Sequence, residues 1–151
     1  MLRLSETDFK KNLIEKETEV IIRGPLGKFT LPENSNKPIV MIAGGVGIVP
    51  FVGILKYLTE EKSSQIVQLI YTDKSIDRMA YLKDIKELEK ENKNLKIITR
   101  LKRVNKKFLK ENCDIKNSIF YVCGGKEMVE GVASILKDLD VTEENLILEK
   151  Y

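Results

Sequence analysis

Residues 39–51, Ile39-Val-Met-Ile-Ala-Gly-Gly-Val-Gly-Ile-Val-Pro-Phe51, constrain this chain more than any other stretch. An apolar run rich in β-branched residues reads as a buried strand. Gly44, Gly45 and Gly47 follow at once, and Pro50 opens a helical pattern. Glycine lets the backbone turn tightly and lets a bulky anion approach the main chain. The first N–H groups of a helix have no partner inside it, so they are free to point at such an anion. Pro50 suits the first helical position, where its missing N–H would have been unpaired anyway. The pattern predicts a strand that hands a phosphate group to a helix N-terminus, and hence nucleotide binding. A ligand-free structural turn is the alternative, because glycines there also serve helix–strand packing.

Beyond residue 38 the pattern alternates strand and helix. Strands are expected at Ile39–Ala43, Ile66–Tyr71, Leu95–Thr99, Ser118–Cys123 and Leu146–Leu148. Helices are expected at Pro50–Glu61, Asp77–Glu91, Asn105–Glu111 and Glu127–Leu139, with Ala80, Tyr81, Ile85 and Leu88 as the apolar face of the second. This alternation argues for an α/β fold, a doubly wound parallel five-stranded sheet of Rossmann type. Ligands of such sheets lie outside the carboxyl ends of the strands. The loops Gly44–Gly47, Tyr71–Lys74, Thr99–Arg103 and Cys123–Lys126 should therefore meet at one edge. Residues 1–37 differ: Thr18–Arg23 and Phe29–Leu31 read as short extended pieces around a Gly24–Gly27 turn. They are too little for a domain. We read 1–37 as a β remnant or linker and 38–151 as the nucleotide-binding domain.

Composition narrows the function. Of 151 residues, 26 are basic and 23 acidic, a net charge of +3, which gives no argument for nucleic acid or an anionic membrane. There is no histidine and there are two cysteines, Cys113 and Cys123, so no metal-ligand spacing or disulfide framework is expected. The uncharged run Ile39–Leu55 is broken by glycines and Pro50 and falls short of the ~20 residues a membrane span needs. The start, Met1-Leu-Arg-Leu-Ser-Glu6, has no signal-peptide pattern. A cytoplasmic location follows as the expectation.

Four segments, in order and at plausible spacing, resemble the ferredoxin–NADP reductase family of flavoprotein reductases. Gly24-Pro-Leu-Gly-Lys-Phe29 is similar to the turn that ends the family's flavin barrel. Ala43-Gly-Gly-Val-Gly-Ile-Val-Pro-Phe51 is similar to its nucleotide loop, with Val49 where threonine is usual. Tyr121-Val-Cys-Gly-Gly-Lys-Glu-Met128 is similar to its Cys-Gly-x-x-x-Met motif, and Glu149-Lys-Tyr151 to an acidic–aromatic terminus.

The resemblance implies an oxidoreductase that passes hydride between NAD(P)H and FAD. It implies that Gly44, Gly45, Val46, Gly47 and Ile48, with Pro50 behind them, carry the dinucleotide pyrophosphate. Thr72, Asp73 and Lys74 would meet the adenosine ribose, with Gly124, Gly125 and Met128 completing the cofactor site. Cys123 would lie beside the nicotinamide, Tyr151 would stack on the flavin, and Glu149 would support both. No Arg-x-Tyr-Ser stretch of a flavin barrel is present, so FAD is expected mainly on a missing domain or partner subunit. An iron–sulfur or other electron-transfer partner would lie beyond it. A non-catalytic dinucleotide-binding or assembly module is the alternative.

Each residue also has a plainer reading. Cys123 could be a small buried hydrophobe, Tyr151 a frayed end, and Tyr71–Lys74 an ordinary loop. For the coenzyme, an acidic residue after the second strand favours the diol of NAD and basic ones favour NADP. Asp73 pulls one way; Lys74, Arg78, Arg100 and Arg103 pull the other. The reading leans to NAD.

Overall fold

A computed structural model describes residues 29–32 and 35–151. The chain divides into two units, Met1–Thr30 and Leu31–Tyr151. Only Phe29 and Thr30 of the first are described, so the expected strand at Thr18–Arg23 and turn at Gly24–Gly27 lie outside the described residues.

The second unit is the alternating structure that the sequence predicts. Five strands, β1 (Ile39–Gly44), β2 (Val67–Thr72), β3 (Leu95–Arg100), β4 (Ile119–Gly124) and β5 (Leu146–Lys150), form one sheet in the order β3-β2-β1-β4-β5. Every pairing is parallel. The chain works outward from β1 to β3, then returns to β1's other side for β4. That reversal puts the topological switch point between β1 and β4, where open parallel sheets hold their ligands.

The helices are α1 (Val49–Glu60), α2 (Leu82–Glu91), α3 (Lys106–Asn112) and α4 (Lys126–Lys137). Side-chain alternation splits the strands between two cores. On one face Val40, Ile42, Ile70, Phe120 and Val122 pack with Leu109 of α3 and Val129, Val132 and Leu136 of α4. Ile39, Met41, Ala43, Leu69, Tyr71 and Tyr121 point to the other and are at most 1% exposed. With both faces covered, β1 and β4 need no polar alternation, and so they read as unbroken apolar runs.

The structure corrects two local expectations. Pro50 is the second helical residue, not the first, because a 3-10 turn over Gly45–Ile48 runs directly into α1. Its missing N–H is still harmless within the first turn. The expected helix from Asp77 forms only from Leu82. Ile76–Arg78 is a separate 3-10 turn and Tyr81 takes a left-handed φ of 58°. The cause is tertiary. Arg78 is tied to Asp73, and Met79, only 5% exposed, turns inward in place of Tyr81, which stays 41% exposed. Among the described residues, no helix is long and apolar enough to cross a membrane.

Candidate functional site

The four glycine- and charge-bearing loops converge at the carboxyl edge of the sheet. Gly44 ends β1 and Gly124 ends β4, with Met128 of α4 packed on both. A Cβ built on Gly44 would meet Met128 at 3.2 Å, and one on Gly124 would meet the Gly44 carbonyl at 3.1 Å and Met128 Sδ at 3.2 Å. Gly45 has a φ of +55°, which favours glycine. Gly47 is pressed on the end of β4, where an added Cβ would fall 2.0 Å from the Cys123 carbonyl oxygen. The 3-10 turn thus lies flat on the sheet edge, with Ile48 fully buried beneath it. Gly125 is the N-cap residue of α4.

A cavity of about 500 Å³ opens beside these glycines, within the range of sites for small-molecule ligands. Gly44, Gly45, Thr72, Asp73, Lys74 and Met128, all singled out from sequence, line it. Met128, Gly131, Val132 and Ile135 form one apolar wall on a single stripe of α4, with Leu101 and Val104 contributing from the loop after β3. Asp73, Lys74, Arg78, Lys102, Arg103 and Glu127 make up its charged lining. Glu127 falls at an open position of the Cys-Gly-x-x-x-Met motif, and no motif marks Gly131; for Gly131 the i, i+3, i+4, i+7 spacing from Met128 is the available signal.

The Asp73 carboxylate is already engaged. Its side chain is 8% exposed, and Oδ1 accepts from the Lys74 backbone N–H at 2.6 Å and from Arg78 Nε at 3.1 Å. Arg100, offered from sequence as a phosphate ligand, is drawn away. Its guanidinium lies 4.2 Å over the Phe108 ring, and its Nε donates to the Arg103 carbonyl at 3.2 Å. Phe108 is held there because the Asn105 side chain caps α3 through the Phe108 N–H.

Cys123, Glu149 and Tyr151 assemble on the opposite face of the same edge. Cys123 pairs in register with Ala43 on one side and Glu149 on the other. The chain end folds back over it: the Tyr151 N–H donates to the Gly124 carbonyl at 3.2 Å, and the Tyr151 hydroxyl lies 3.2 Å from Cys123 Sγ. Tyr151 is nonetheless 57% exposed. Burial pushes the Cys123 thiol above its ordinary pKa; the Tyr151 hydrogen bond opposes this and the Glu149 charge adds to it. The sulfur therefore keeps its proton at neutral pH. Both cysteines are free.

Comparisons with known proteins bear on the family and the fold. The family described as oxidoreductase NAD-binding domain matches residues 41–134. The chain is 26% identical over 150 residues to a flavohemoprotein of Oceanobacillus iheyensis, covering 91% of this chain and 37% of that protein. It is 28% identical over 156 residues to one subunit of the Na(+)-translocating NADH-quinone reductase of Pseudoalteromonas atlantica, covering 91% and 38%. The chain thus spans less than two fifths of these relatives. Among solved structures, flavohemoglobin from Malassezia yamatoensis superposes with a TM-score of 0.77 at 21% identity, over 92% of this chain and 40% of that one. Ferredoxin-NADP+ reductase from Plasmodium falciparum gives 0.70 at 22%, over 83% and 57%. These likenesses bear out the resemblance and the doubly wound fold read from sequence. Residues 41–134 are more than half of the chain, which therefore belongs to the oxidoreductase NAD-binding domain family.

Proposed function

We propose that this chain is the NAD(P)-binding part of a flavin-dependent oxidoreductase. The observation that carries the reading is the placement of two different surfaces on one sheet edge. The glycine turn and the 500 Å³ cavity lie on one side, and the Cys123–Tyr151 contact lies on the other. A dinucleotide laid across the β1–β4 switch point would put its adenosine in the cavity and its diphosphate on Gly44–Ile48. Its nicotinamide would then lie beside Cys123. The residues present fit that group: Gly47 leaves no Cβ in the cradle, and cations line the adenosine end.

The bound coenzyme supplies hydride transfer; the chain's share is to hold and orient it. The protonated Cys123 thiol gives the nicotinamide end a small, uncharged neighbour. Tyr151, anchored by one side-chain contact, can leave Cys123 when a ring arrives. Glu149 sits next to Cys123 at the strand edge and supports the same corner. The flavin acceptor would lie in a further domain or subunit, since the relatives are more than twice this chain's length. An iron–sulfur or other carrier would take the electrons onward. Free cysteines suit a cytoplasmic setting.

The relatives' names include both NADH and NADP+, and the cavity lining favours the phosphorylated coenzyme. Asp73, the residue that tips the sequence reading to NAD, is committed to Arg78 and the Lys74 N–H. That leaves Lys74, Lys102 and Arg103 in a lining whose one other carboxylate is Glu127. Thermal melting of the full chain at millimolar nucleotide tests the reading. NADPH should raise the melting temperature more than NADH, and GTP should not raise it. If neither coenzyme shifts it, dinucleotide binding is ruled out, because a ligand of the folded state must stabilise it.

A further inference from the structure

Tyr71 opens the loop expected at the site edge but has no role of its own in that expectation, yet its hydroxyl reaches the glycine turn. The residue is fully buried at the end of β2, beside Ala43 of β1. Its Oη lies 3.2 Å from the Gly45 carbonyl oxygen and donates to it. A hydroxyl has one proton and a carbonyl oxygen can only accept, so the Tyr71 hydrogen is directed at Gly45. This fixes the plane of the Gly45–Val46 peptide. In a trans peptide the C=O and the following N–H point in opposite directions. With the Gly45 oxygen drawn toward Tyr71, the Val46 N–H faces away from the core. Val46 belongs to the first turn of the 3-10 segment, where N–H groups lack intrahelical partners. Gly45, at φ +55°, is a residue whose peptide could otherwise rotate at little cost.

We infer that Tyr71 is a positioning residue for coenzyme binding: its hydroxyl turns the Gly45–Val46 peptide so that the Val46 N–H is presented to the diphosphate. The inference rests on the dinucleotide reading above. It adds a cause for the loop's shape that the glycines alone do not supply, since glycine permits the conformation without selecting it.

The test uses the full chain, titrated with NADPH by calorimetry and by amide NMR. In the wild type, the Val46 amide resonance should move on saturation. Tyr71→Phe should weaken NADPH binding about tenfold, the equivalent of one hydrogen bond's net contribution, and should abolish most of the Val46 response. A residue needed only for packing would lower the melting temperature but leave the affinity of the folded protein unchanged. Unchanged affinity in a folded Tyr71→Phe protein overturns the inference. So does a wild-type Val46 amide that ignores bound NADPH, a result that needs no variant to fold. If wild-type protein binds neither coenzyme, the dinucleotide reading itself has failed.

Discussion

At the scale of single residues, Gly47 and Gly131 show how absent side chains make the site. Gly47 touches the backbone at the end of β4, and the atom a Cβ would strike is a main-chain oxygen that cannot swing aside. Gly47→Ala must therefore separate the turn from the strand. We expect a loss of at least about 1–3 kcal/mol of stability and of measurable NADPH binding, read by urea denaturation and calorimetry. Gly131 is the opposite case. Nothing lies within 4 Å of its Cβ position, and it faces the cavity. Gly131→Leu should leave the fold intact, and even gain helix propensity of up to about 1 kcal/mol. The leucine should nonetheless fill the adenosine space and weaken coenzyme binding at least about tenfold, some 1.4 kcal/mol. Retained NADPH affinity in that variant would mean the cavity is not where the adenosine goes. One of these two glycines is legible in sequence as part of a motif; the other sits mid-helix, where a glycine carries little signal until its neighbours in space are known.

At the scale of elements, the legible parts are those with a local cause. β1 and β4 are apolar runs long enough to be recognised by themselves. α3 starts where Asn105 can cap it, and α4 follows directly on the glycines that end β4. The segment before α2 departs from its own pattern: its period is helical through Ala80 and Tyr81, yet contacts from β2 and the loop after it decide its path. Asp73 takes Arg78, and Met79 is the residue that goes inward. Local periodicity loses there to tertiary contacts. α1 offers a control. Gly53 lies on its exposed side with open space around it. Gly53→Ala should raise the stability of the folded chain by about 0.5–1 kcal/mol, the usual gain from replacing a helical glycine. A chemical denaturation curve checks this, and NADPH affinity should not change.

For the whole molecule, burial of titrating groups makes a prediction about pH. Cys113 is raised from 9.0 to about 11, chiefly by burial, against the opposing charge of Lys96. Tyr71 is raised from 10.0 to about 12, by burial first and by the Asp73 charge second. In each case the folded state holds a proton that the unfolded chain gives up earlier. These contributions are therefore fully present below the unfolded pKa values and are lost as pH rises toward the folded ones. Melting temperature should stay level through neutral pH with respect to these groups and fall from about pH 9 onward. Cys113→Ser, which does not titrate in this range, should flatten the first part of that fall. A Cys113→Ser curve that falls as steeply as wild type between about pH 9 and 11 would refute the assignment.

The strand–helix alternation, the parallel sheet and the loops that would share an edge were legible from the residues in order. Each of these follows from local periodicity and from glycine chemistry that needs no distant partner. Tertiary structure alone decided that Asp73 is spent on Arg78, that Arg100 stacks on Phe108, and that Tyr71 reaches back to Gly45. Those choices set the charge offered to a coenzyme and the direction of a peptide N–H. They depend on which strand ends come to lie side by side, and that is a property of the packed sheet rather than of any one segment.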